Sequence, residues 1–192
     1  MRTGQLLAAF VVFVACGKSA QSDKLTPGGS LTGVYRVESI TVEGKDMVLA
    51  DLFRQSLKGD GNQEVDVVRM TLEVKGGTIT VGLDQVWGSP GSATYCSVHG
   101  STDADMANGK LTIPTIEAVA SAGVVTTDGG DTSKDTAKCN VSFKKGTYDI
   151  ALGAGKAELS TMSDGKPVTM HLVADDEVID LKARAVAFAK RK

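Results

Sequence analysis

The chain has 192 residues, a net charge of −2, 42% hydrophobic residues and only 5% aromatic ones. This length suits one principal domain with a core of its own. The weak charge, with no dense basic run before the terminal Lys190-Arg191-Lys192, excludes nucleic acid as an expected partner.

The N-terminus reads "MRTGQ" and then ten apolar residues, Leu6 to Ala15. A membrane-crossing helix needs about 20 such residues. The run instead fits the apolar core of a secretory signal, with Arg2 before it and small residues at its end. Residues 17–30, "GKSAQSDKLTPGGS", are small and polar and read as a flexible tether.

Leu31 to Lys192 reads mainly as strands. "LTGVYRVESITVEG" is a long β-prone segment. Leu49, Leu52, Phe53 and Leu57 then fall at helical spacing, predicting a helix from Met47 to Lys58 with Asp46 as N-cap and Gly59 as terminator. "VDVVRMTLEV" and "TITVGL" flank Lys75-Gly76-Gly77 and predict a hairpin. "SATYCSVH" is a further strand, and "NGKLTIP" begins another after an Asn108-Gly109 turn. Glu117 to Thr127 is either a short Ala-rich helix or a strand, and "TTDGGDTSKDT" reads as a surface loop.

The last third predicts a four-strand meander: "AKCNVSF", "TYDIAL", "KAELSTM" and "PVTMHLVA", joined by short turns. Asp175 and Asp176 then open a helix-favouring segment, with acidic residues first and basic residues last, although its start also suits a strand. About eight to ten short strands with tight turns predict an all-β antiparallel barrel or sandwich.

Two resemblances refine this reading. "VAC" at Val14-Ala15-Cys16, followed by Gly17, resembles the lipobox of bacterial lipoproteins, with Phe13 where that family prefers Leu. The resemblance implies cleavage after residue 15 and a lipid-modified Cys16. With Gly17 rather than Asp after the cysteine, it implies an exported protein held in the cell envelope at the outer membrane. Multiple acyl chains hold durably, since each buried methylene contributes about 0.8 kcal/mol. With Cys16 acylated, Cys96 and Cys139 remain as an even pair. In an exported protein such a pair is expected to form a disulfide, closing a 44-residue loop and contributing about 3–4 kcal/mol.

Gly33-Val34-Tyr35 stands where lipocalin-like families begin Gly-x-Trp, with Tyr in place of Trp, and "NGKLTI" and the final meander are similar to the same group. This implies a lipocalin-like barrel over residues 31–192, with the helix after the first strand as a lid. It also implies a small apolar ligand inside. Tyr35, Trp87 and Tyr95 are the candidate lining residues, with ordinary core packing as the alternative.

Chemistry-bearing clusters are few. His99 and His171 are the only histidines. His99 with Asp103 and Asp105 forms a loose metal-capable spacing. "DGNQE" at residues 60–64 starts like a calcium loop, but Val65 and Thr71 occupy the positions that need Gly and Glu. Asp128, Asp131 and Asp135 are a second acidic group. No nucleophile elbow, phosphate loop or His-Glu-x-x-His occurs. The expectation is a non-enzymatic protein with no cofactor or metal. It meets the membrane through its anchor and binds a small apolar ligand, or else another envelope protein over a filled barrel core.

Overall fold

The computed structural model describes residues 26–57, 63–128, 130–132 and 145–191. Its strands are β1 (Thr26–Pro27), β2 (Gly33–Val42), β3 (Lys45–Met47), β4 (Glu64–Lys75), β5 (Thr78–Ser89), β6 (Ser92–Asp103), β7 (Asp105–Ala107) and β8 (Lys110–Ile113), followed by β9 (Val119–Thr126), β10 (Asp131–Thr132), β11 (Gly146–Gly153), β12 (Lys156–Ser163) and β13 (Lys166–Ala174). Its helices are α1 (Leu49–Ser56) and α2 (Leu181–Ala189). The fold is all-β: one curled antiparallel sheet of lipocalin-like barrel form.

Closure follows from two long bent strands. β6 and β7 are separated by Ala104 alone, and β8 turns back onto β7 through Asn108-Gly109. β9, the continuation of β8, runs back along β6. β8 pairs on its other side with β11, and the meander β11–β12–β13 ends against β2. With β2–β4–β5–β6 pairing in order, the circuit returns to its start through eight sequential neighbours. The β8–β11 and β2–β4 pairings join strands that longer connections separate, and the β13–β2 pairing brings the two ends of the circuit together.

Alternation sets the inner face. On β4 and β5, Leu72, Val74, Ile79 and Val81 are buried, while Glu73, Lys75 and Thr78 are exposed. Between them Gly76 and Gly77 have φ of +58° and +86°, the mirror-image turn whose twist matches the strands. The main core joins Leu31, Val37, Ile40, Leu72, Val74, Ile79, Leu111, Ile116, Ile150, Leu159 and Leu172 inside the barrel.

A second packed layer lies outside the barrel. Ala185, Phe188 and Ala189 of α2 cover Val67, Val86, Ala93 and Val125 on the outer sheet face. At the β4 bulge between Val65 and Val67, Asp66 reaches Arg184 and Arg191 and ties α2 down.

Several sequence expectations shift. The first helix spans Leu49–Ser56, because Asp46 and Met47 are paired with Thr41 and Ile40 in the β2–β3 hairpin. Asp46 therefore accepts a hydrogen bond from Thr41 instead of capping a helix, while Lys58 and Gly59 lie outside the described residues. The last helix starts at Leu181, where Asp180 accepts from the Ala183 N–H at 2.9 Å, and not at Asp175. Glu117 to Thr127 contains strand β9, and the acidic loop contains the two-residue strand β10 paired with Val124 and Val125. At the tether's end, Thr26 and Pro27 pair with β11, the Gly28 N–H donates to the Ile150 carbonyl and Leu31 is fully buried. Residues 1–25, including the predicted signal and Cys16, lie outside the described residues, as does the strand predicted over residues 137–143 with Cys139.

Candidate functional site

The structure separates the predicted aromatic trio into three packed groups. Tyr35 is partly buried and packs against the main core, and its hydroxyl donates to the Thr32 carbonyl at 3.0 Å. Trp87 faces inward from β5 and packs with Cys96, Val98 and Ala122. Tyr95 faces the other way, against the α2 layer. The reason is the two-residue period: Trp87 pairs with Thr94, so Tyr95, one position on, projects from the opposite face. The three side chains do not form one lining.

What surrounds Trp87 is more informative. The Phe53 ring of α1 meets it edge-to-face, with centroids 5.4 Å apart and planes at 76°, a favourable quadrupole arrangement. Leu57, Val65, Leu83, Ala118 and Ala120 join the same group. Leu49 and Leu52 of α1 pack on the main core. The helix thus lays its apolar face on the barrel interior and exposes Asp51, Arg54 and Gln55.

The interior has two zones. Ile79, Leu111, Ile116, Leu159 and Leu172 are at most 2% exposed and seal one of them. Val65, Met70, Leu83, Val168 and Met170 also pack on the interior groups, yet keep accessible surface. Ala118, Ala120 and Ala122 make one wall of the Trp87 group short. Burial pushes the Tyr148 phenol, which packs on the main core, above its ordinary pKa of 10.0.

One buried polar residue was not singled out from the sequence. Gln85 lies on β5 between inward-facing Leu83 and Trp87 and pairs with Cys96 and Val68. It is 8% exposed. The signal was a polar residue in the apolar phase of Ile79, Val81, Leu83, Gln85 and Trp87. Cys96, on the adjacent inward position, is fully buried.

The histidines belong to outer-face clusters. The Ser97 hydroxyl donates to Asp84 Oδ1 at 2.7 Å, and His99 Nε2 lies 2.5 Å from the same Ser97 Oγ. With Ser97 donating to Asp84, its Oγ can accept from the imidazole, which links the three side chains in one chain of hydrogen bonds. The cluster borders a groove of about 330 Å³ that also contains Arg69, Glu73 and Glu177. His99 therefore sits with Asp84 and Ser97, while Asp103 accepts from Thr78. His171 joins the barrel seam: Nδ1 lies 3.0 Å from Glu158 Oε1, Nε2 lies 2.6 Å from Thr41 Oγ1, and Thr41 donates to Asp46. Among the described residues, no three His, Cys, Asp or Glu side chains gather in a metal-capable group. Asp128 closes its own turn, and hydrogen bonds from the Thr126 hydroxyl and then the Gly130 N–H hold its carboxyl below 3.8. Asp135 lies outside the described residues.

Compared with known protein families and with curated proteins, the chain matches none.

Proposed function

We propose that this chain is an exported, lipid-anchored cell-envelope protein that binds a small apolar ligand inside its barrel, beneath α1, without catalysing a reaction. The observation that carries the binding reading is the unsealed apolar interior: Val65, Met70, Leu83 and Met170 pack on the interior groups and retain accessible surface, and α1 packs on the same groups through Leu49, Leu52 and Phe53. Ligand sites are mostly apolar and enclosed on most sides, and eight-stranded barrels either fill with side chains or hold one small ligand.

The address rests on sequence. Residues 1–15 serve as signal, Cys16 carries the lipid, and the protein stands at the outer membrane. In that oxidising setting Cys96 pairs with Cys139; the complete burial of Cys96 supports a structural role for its sulfur.

A second reading has its own support. The sealed zone around Ile79, Leu111, Ile116, Leu159 and Leu172 favours a filled barrel that serves structure or meets another envelope protein. Native purification from membranes followed by intact mass spectrometry tests both. Acyl chains on Cys16, a Cys96–Cys139 bond and a co-purifying apolar compound are expected. An unmodified N-terminus cut elsewhere overturns the address. A ligand-free protein that also takes up no added alkane leaves the filled-barrel reading.

A further inference from the structure

Gln85 is the one amide on the inward face of β5, in the same phase as Ile79, Val81, Leu83 and Trp87. The residue is only 8% exposed, its side-chain amide has no hydrogen-bond partner among the described residues, and it is not among the fully buried unpartnered atoms, so the amide itself keeps accessible surface. Strand register places it between Leu83 and Trp87, level with Val68 and Cys96, beside the accessible apolar side chains under α1. An amide there offers two donors and an acceptor to whatever occupies the space.

The surroundings also limit the charge of that occupant. The inward positions flanking Gln85 on its own strand and on both neighbours are Leu83, Trp87, Val68, Met70, Thr94, Cys96 and Val98, none of them charged. A carboxylate or ammonium held there would lose its hydration with no counter-charge in return. A hydroxyl, ester or amide loses less, and a hydrogen bond to the Gln85 amide can offset it.

We infer that Gln85 is the polar anchor of the barrel site and that its ligand is an uncharged amphiphile: one apolar chain with a hydroxyl, ester or amide head hydrogen-bonded to the Gln85 amide. This rests on the ligand-binding reading above. It adds a specificity-determining residue and a ligand class.

The test titrates the purified full chain and its Gln85→Leu variant with decane, 1-decanol and decanoate above the carboxylate pKa. Calorimetry measures binding, and fluorescence of Trp87, the sole tryptophan, locates it. The expected result is a loss of about ten-fold in 1-decanol affinity in the variant, with decane binding not reduced. In the unaltered chain, decanoate binds about ten-fold or more weakly than 1-decanol. Equal 1-decanol affinity in both proteins overturns the anchor while leaving the ligand site intact. Decanoate binding as tightly as 1-decanol overturns the uncharged class. If none of the three binds the unaltered chain, the ligand-binding reading itself fails. Gln85→Met supplies the same comparison if the Leu variant does not fold.

Discussion

Arg69 and Asp175 form a two-pronged ion pair across the outer face of the barrel. Nε and Nη2 of Arg69 lie 2.9 and 2.5 Å from the same Oδ2, and Nη2 also donates to the Glu177 carbonyl at 2.6 Å. The side chains are only 12% and 4% exposed. The pair fixes the path from β13 to α2, which explains why Asp175 precedes the helix instead of capping it. Breaking such a pair from one side leaves a buried charge. Arg69→Ala is expected to cost about 3 kcal/mol in denaturant unfolding. A cost within experimental error of zero would show that the pair is not holding the segment.

The same pair sets an acid dependence. Burial pushes the Asp175 carboxyl upward, but the Arg69 hydrogen bond, the Glu177 N–H and the charges of Arg69 and Arg36 outweigh it and hold it below the ordinary 3.8. A carboxyl lowered on folding contributes stability above its unfolded value, and that stability is lost as pH falls through the folded value. The stability difference between the unaltered chain and Arg69→Ala should therefore be full near neutral pH and shrink below about pH 4. Thermal melts across that range measure it. A difference that widens in acid would contradict this sign.

Phe53 is the contact through which α1 grips the Trp87 group. Phe53 is partly buried, so Phe53→Ala should cost about 2 kcal/mol, less than the 3–5 kcal/mol of a fully buried Phe. It should also change Trp87 fluorescence and speed amide exchange across Leu49–Ser56. In the unaltered chain, an apolar ligand should slow exchange in the same segment. Unchanged, strongly protected α1 amides in all three samples would remove its role as a lid.

Two strand glycines predict unequal substitution costs. A Cβ on Gly100 would lie 2.3 Å from Ile116 Cγ2 and 3.0 Å from the Glu117 carbonyl oxygen, in the packed interior. One on Gly82 would meet Thr71 Oγ1 at 2.5 Å and His99 Nδ1 at 2.9 Å, the ends of side chains on the outer face. Those can rotate away, whereas backbone cannot. Gly100→Ala should cost about 1–3 kcal/mol, and Gly82→Ala clearly less, by the same unfolding assay. The reverse order would place Gly100 outside a tightly packed site.

The strands of this protein are legible because their causes are local. Alternation in "VDVVRMTLEV" and "TITVGL", with Gly76 and Gly77 between them, is enough to specify a hairpin, and the turns of the final meander work the same way. Helix α1 is legible from its apolar spacing, but its first residues are not. Whether Asp46 caps a helix or joins a ladder depends on Thr41 and Ile40 across the hairpin.

Distant partners decide the rest. Trp87 and Tyr95 differ in alternation phase through a pairing register that neither segment contains alone. Asp175 is claimed by Arg69 from another strand, leaving Asp180 to cap α2. The burial of Gln85 is visible only once Val68 and Cys96 flank it. Turn chemistry and alternation act between near neighbours and can be read along the chain. Which face is inside, and which polar group is trapped there, is settled when β13 closes onto β2 and the sheet acquires an interior.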